Sequence, residues 1–184
     1  MKILDISSLL RFGNLGLIGI CVMVGLSGCA SSHVPKARAA NPKMIPNIPA
    51  GTKVALINAQ PASESVLIGK AGLGRSVHGN LHTWTDQAII ALKHTLEKKG
   101  VEVSDRSAKS LKVAITEADL KEAGSGWSFR CTVHFTIEMS NGQVITMVTD
   151  NPNWKYIPAC DGVIPKIALV ALNDERIEKF LADP

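Results

Sequence analysis

Trp127-Ser128-Phe129-Arg130-Cys131-Thr132-Val133-His134-Phe135-Thr136-Ile137-Glu138-Met139, with the Ser140-Asn141-Gly142-Gln143-Val144-Ile145-Thr146-Met147-Val148 that follows, is the stretch whose reading decides the fold. Apolar residues hold every odd position from 127 to 139, and polar residues hold every even one. A period of two marks a strand with one face on a core. Asn141-Gly142 accepts the positive φ angles that a tight hairpin needs. A two-residue turn there pairs Met139 with Val144, Ile137 with Thr146 and Phe135 with Val148. It also puts Ile145 and Met147 opposite the core, among Thr136 and Glu138. Two apolar residues on that face are either ordinary exposed hydrophobics or a candidate partner face.

Working outward, Trp84, Ala88, Leu92 and Leu96 recur every four residues with Ile89 beside them, which predicts a helix from about Trp84 to Lys99. Thr83 or Thr85 caps its start, and Gly100 takes the left-handed position after its end. Lys53 to Ala59 reads as the first strand, with Val54 and Leu56 inward and Ile57 a further candidate for the core. Val66 to Ile68 adds a short strand inside a glycine-broken loop. Leu111, Val113 and Ile115 alternate with Lys112, Ala114 and Thr116 in another strand. Downstream, Asp161 is a candidate cap, Pro165 suits a first helical turn, and Val163, Ile164, Ile167, Ala168 and Ala171 form the apolar side. Asn173 then caps a last short helix with Ile177, Phe180 and Leu181 inward. The order predicts an α+β fold: a mostly antiparallel sheet with helices packed on one face, a two-layer sandwich.

The N-terminal end carries a different kind of signal. Lys2 and Arg11 precede the apolar run Leu15 to Leu26, which is too short for a membrane span and suits a secretory leader. Leu26-Ser27-Gly28-Cys29 has the form of a bacterial lipobox, with Cys29 as the lipidation site. Lipoproteins of that class carry three acyl chains, and two or more chains anchor stably. Ala30, rather than Asp, follows the cysteine, which points to the outer membrane. The chain then divides into a signal peptide (1–28), a lipidated Pro-rich tether (29–50) and one α+β domain (51–184). Pro35, Pro42, Pro46 and Pro49 disfavour regular ladders, so the tether is expected to hold the domain on the order of 60 Å from the bilayer. The other reading is that Met44, Ile45 and Ile48 dock on the domain.

The mature chain of about 155 residues is long enough for a core of its own. The net charge of +4 is spread thinly, with no basic run interleaved with aromatics, so nucleic acid is not an expected partner. Of four cysteines, Cys21 leaves with the leader and Cys29 takes lipid. Cys131 and Cys160 remain, in a compartment that permits disulfides. They are candidates for one bridge, the alternative being two buried free thiols.

No motif defines a catalytic, cofactor or metal site. Gly69 to Ser76 (GKAGLGRS) nearly spells a phosphate loop, but Arg75 stands where the lysine belongs and no helix follows at once. His78, His82 and Asp86 are spaced by four, yet Gly79 breaks the helical register a metal site would use. His94 falls off the apolar stripe. Gly124-Ser125-Gly126 lacks the strand-to-helix context of a nucleophile elbow. Glu117, Asp119 and Glu122 read as solvated carboxylates at a strand end. A small-molecule substrate is not evident.

The lipobox, the first strand, the helix end Leu96-Glu97-Lys98-Lys99-Gly100-Val101-Glu102-Val103, the strand Leu111-Lys112-Val113-Ala114-Ile115, the Asn141-Gly142 hairpin and the terminal Ile177-Glu178-Lys179-Phe180-Leu181 together resemble the YajG-type lipoproteins of Gram-negative bacteria. The resemblance implies a small envelope lipoprotein without known catalytic residues. The Cys131/Cys160 pair and the Gly-rich loop depart from the pattern. The expected function is a lipid-anchored, non-catalytic accessory protein of the outer membrane, facing the periplasm, that binds an envelope protein or glycan. The alternative is an auxiliary lipoprotein subunit of a lipid or lipopolysaccharide transport system, by analogy of fold.

Overall fold

Alternation of apolar and polar residues builds the centre of the sheet, and the helices then cover its apolar side. The computed structural model describes residues 30–72, 74–124 and 128–183. In chain order the elements are β1 (Ser31–Ser32), β2 (Lys53–Asn58), β3 (Val66–Ala71), β4 (Arg75–Gly79), α1 (Leu81–Lys98), β5 (Glu102–Val103), β6 (Ser110–Ala123), β7 (Ser128–Met139), β8 (Val144–Asn153), α2 (Tyr156–Leu172) and α3 (Glu175–Ala182). A 3-10 turn at Pro42–Met44 lies between β1 and β2.

The spine is antiparallel. β6 pairs with β7 from Leu111↔Met139 to Ala123↔Ser128, with an irregularity between Ile115 and Glu117. β7 pairs with β8 from Phe129↔Asn153 to Glu138↔Val144. Cys131, Val133, Phe135 and Ile137 are fully buried, as their odd positions predict. Glu117 to Glu122, expected beyond a strand end, instead continue β6 past the irregularity.

The rest of the sheet corrects the mostly antiparallel expectation: the eight-stranded sheet is mixed. β2 runs parallel to the first half of β6, and β3 meets its second half in parallel at Gly69↔Leu120. β1 is parallel to β4, β5 is parallel to β2, and β3–β4 is an antiparallel hairpin. Parallel neighbours need a long connection. Here the β3–β4 hairpin, α1 and β5 supply it between β2 and β6. Single-strand alternation carries no mark of that crossover. α1 packs against β2, β5 and β6, and α2 packs against β7, β8 and α1.

The hairpin corrects the assignment of Ile145 and Met147. The Met139 amide donates to the Gln143 carbonyl at 2.9 Å, and the Gly142 amide donates to the Met139 carbonyl at 2.9 Å. The loop therefore holds three residues, with Gly142 at φ 85° in the left-handed position. Relative to a two-residue turn the register moves by one. Ile137 faces Ile145, and Phe135 faces Met147. A one-residue slip exchanges the two faces of a strand. Ile145 (1 % exposed) and Met147 (9 %) are core residues, while Val144 (59 %) and Val148 (54 %) face solvent. Burying two large apolar side chains, at roughly 1.5–3 kcal/mol each, favours the longer loop.

Helix ends shift for local reasons. α1 begins at Leu81 because the Asn80 side chain accepts from the Thr83 amide at 3.0 Å. Thr85 is not a cap: its buried hydroxyl donates to the Leu81 carbonyl at 2.8 Å and accepts from the Ile115 amide at 3.1 Å, at the break in the β6 ladder. The stripe of Trp84, Ala88, Leu92 and Leu96 is fully buried, whereas Ile57 is exposed. α2 begins at Tyr156, so Asp161 and Pro165 lie inside it rather than at its start. Asn151 donates to the Pro158 and Ala159 carbonyls at 3.1 and 3.2 Å, and a methyl at Gly162 would collide with its side chain. α2 thus lies tightly on β8. Asn173 ends α2, and Asp174 is the cap of α3.

Candidate functional site

Residues 31–48 do not form the free tether expected of a Pro-rich segment. They lie as a strap along the helical layer, and the docking reading holds for Ile45, which is buried, and for Ile48, which packs on the core; Met44 stays exposed. The strap enters as β1 on the edge of β4, with Ser31 opposite Val77 and Ser32 opposite His78. The His33 carbonyl accepts from the Trp84 indole at 3.0 Å, and the His33 ring meets the Trp84 ring edge-on at 6.2 Å. His33 Nε2 lies 3.1 Å from Asp161 Oδ1, and that oxygen also accepts from the Lys36 amide at 3.2 Å.

Further along, the Ala37 amide donates to Gln87 Oε1 at 3.1 Å, and the Ala40 amide donates to the buried Thr95 hydroxyl at 2.9 Å. Lys99 closes the seam by donating to the Ile45 carbonyl and Asn47 Oδ1, both at 3.1 Å. Prolines break ladders but leave carbonyls and occasional amides free, and side chains of α1 and α2 take these up. No apolar period runs through the strap, so the sequence offers no direct signal of docking. An indirect one exists. Thr85 and Thr95 sit on the buried side of α1, and a buried hydroxyl calls for partners beyond its own helix.

The second constellation is the thiol pair. β7 presents Cys131 from its core face, α2 presents Cys160, and the two are buried side by side. The predicted proximity is present, but the bridge is not: both are free thiols. The hydrogen bond to Cys160, and then burial, push the Cys131 thiol far above the ordinary thiol range. A thiol so held is a poor nucleophile.

The remaining candidates are dispersed by the fold. His78 lies on β4 and His82 on the first turn of α1. His82 Nδ1 lies 2.6 Å from the Gln60 carbonyl, and Asn58 donates to Asp86 at 2.6 Å and to the His82 carbonyl at 3.1 Å. These contacts tie the end of β2 to α1. Among the described residues no group of three or more His, Cys, Asp or Glu side chains could hold a metal ion. Gly69–Ser76 is the β3–β4 hairpin rather than a phosphate loop ahead of a helix. At Gly69 an added methyl would run into the Leu120 backbone, so that glycine serves strand packing. Cys29, Ser125 and Gly126 lie outside the described residues.

The surface clefts among the described residues include two of several hundred Å³. One, of about 440 Å³, lies between strap and α2 and is lined by Arg38, Asn151, Asn153, Asp161 and Pro165 among others. The other, of about 540 Å³, is lined by Thr52, Lys53, Arg106, Lys109 and Asp183 among others. Neither lining contains a histidine or cysteine.

Fold and site define an α+β protein with a mixed eight-stranded sheet, one helical layer and a strap over it. No family model and no curated protein matches the chain. Among solved structures, protein XCC0632 from Xanthomonas campestris (family model DUF330) is similar with a TM-score of 0.49 at 12% identity, over 77% of this chain and 95% of that one. A minor lipoprotein from Acinetobacter baumannii is similar with a TM-score of 0.40 at 19% identity, over 71% of this chain and 90% of that one. Neither description names the YajG-type family.

Proposed function

We propose that this chain is a lipid-anchored accessory protein of the bacterial outer membrane. It faces the periplasm, acts without catalysis and binds an envelope protein through the free edge of its sheet. Support for the anchor is Leu26-Ser27-Gly28-Cys29 at the end of a secretory leader. The observation that carries the binding role is β8. Among the described residues it pairs only with β7, which leaves its other edge open, and it exposes Val144 and Val148 with Thr146 between them. An open edge with an apolar stripe suits strand addition by an extended segment of another protein. A non-catalytic role is supported by the use of the histidine–carboxylate contacts: His33–Asp161 holds the strap, and His82–Asp86 sits at the β2–α1 junction.

In-cell photocrosslinking tests the reading. A photoreactive residue in place of Val144 or Val148 should capture one discrete envelope protein, and the same probe at exposed Ile90 on α1 should not. Equal or no capture at all three positions would refute it.

A further inference from the structure

The strap changes where the anchor leaves the domain. Ser31 is already a sheet residue, opposite Val77. Cys29 lies two positions earlier, within about 7 Å along the chain. The ladder registers show which end of the sheet this is. One cross-strand row reads Ser31, Val77, Gly69, Leu120, Cys131, Asn151. The next row toward the upstream end of β1 holds Ser76, Lys70, Lys121, Arg130 and Pro152, and the row after it holds Arg75, Ala71, Glu122, Phe129 and Asn153. Trp154 follows at once, 76 % exposed, and then Lys155.

We propose that this end of the sheet seats directly on the bilayer that holds the acyl chains, with Trp154 in the interface and Lys70, Arg75, Lys121 and Arg130 against anionic phospholipid headgroups. The inference rests on Cys29 being lipidated. Charge follows the same direction. The outward-facing row nearest the anchor carries Lys70, Lys121 and Arg130. Asp119 and Asp150, which pair with Lys121 at 2.6 Å and with Arg130 at 3.3 Å, stand one outward-facing row further from it. Glu122 is the one carboxylate in the last two rows. Tryptophan favours the headgroup level, where its apolar ring and polar N–H are both accommodated, and basic residues are drawn to anionic lipid. Trp154 otherwise exposes a large apolar ring to water next to the anchor. Seated this way, the Val144 end of β8 stands about 30 Å from the headgroups, free for a partner.

The test uses the full lipidated chain carrying Trp127→Phe as the parent, so that only buried Trp84 and exposed Trp154 emit, in vesicles of phosphatidylethanolamine and phosphatidylglycerol containing a brominated phospholipid, with tryptophan fluorescence as the readout. Quenching should be strong in the parent protein and mostly lost in Trp154→Phe, a change at an exposed side chain. Lys70→Gln with Arg75→Gln should weaken quenching, and replacing phosphatidylglycerol by phosphatidylcholine should do the same in the parent. Equal quenching in parent and Trp154→Phe overturns the seat. Mass spectrometry of the same preparation separates the two ideas. Acylated Cys29 with equal quenching removes the seat and leaves the anchor. Unmodified Cys29 removes both.

Discussion

The β7–β8 hairpin and the strap over residues 31–48 are both held by the same core, but for opposite reasons. In the hairpin, backbone groups pair with a neighbouring strand and alternate side chains supply the burial. In the strap, after the two residues of β1, backbone groups are satisfied one at a time by the side chains of Trp84, Gln87, Thr95 and Lys99, with only Pro35, Ala40 and Ile45 buried. The first arrangement is periodic and cooperative. The second is a series of separate fastenings, each removable without loss of the fold.

That contrast ranks the expected effects. The largest belongs to the hairpin register: Ile145→Ala, on the core face, should cost about 2–5 kcal/mol against a total stability of about 5–15 kcal/mol. Val144→Ala, on the solvent face next to it, should stay within about 0.5 kcal/mol of the parent. Chemical denaturation measures both; equal losses, or a larger loss at Val144, would contradict the register. Next, maleimide should label neither Cys131 nor Cys160 in the native protein and both in denaturant without reductant. A mass two hydrogens lighter, with no labelling until reduction, would show a bridge instead.

A smaller effect belongs to the strap. Thr95→Val leaves the Ala40 amide buried without its acceptor, at about 1–3 kcal/mol. Limited proteolysis should then cut within 31–48 while the sheet and helices persist, and an unchanged cleavage pattern would oppose the docked strap.

The smallest concerns α3. Asp174 accepts from the Arg176 amide at 3.0 Å and from its guanidinium at 2.7 and 2.9 Å, and the Arg176 side chain holds the carboxyl below the usual carboxylate range. A carboxyl depressed on folding stabilises above its unfolded value and loses that contribution as pH falls through its folded value. Asp174→Ala should cost about 1 kcal/mol at neutral pH and make the acid limb of the stability profile shallower. An unchanged acid limb would mean that the contact contributes nothing.

Legibility in the sequence follows the same division. The alternation at 127–139, the four-residue stripe of α1 and Gly100 were readable because each is local and periodic. The hairpin face was not, because Asn141-Gly142 serves both two- and three-residue loops, and only the burial of Ile145 and Met147 distinguishes them. The parallel pairing of β2 with β6 joins residues more than fifty positions apart and leaves no mark on either strand. Asp161 looked like a cap and is instead a mid-helix acceptor for His33 and the Lys36 amide, which lie more than a hundred residues upstream. The approach of Cys131 to Cys160 followed from the core face of β7, but their redox state did not.

Hydrogen exchange of the mature chain, resolved to single amides, tests the docked strap most directly. The amides of Ala37 and Ala40, bonded to Gln87 and Thr95, should exchange far more slowly than unstructured chain, and that of Ala40 should gain rate when Thr95 is changed to Val. Exchange of both at the rate of free peptide in the parent protein would mean that residues 31–48 are a loose tether, and the short reach from anchor to sheet would fall with them.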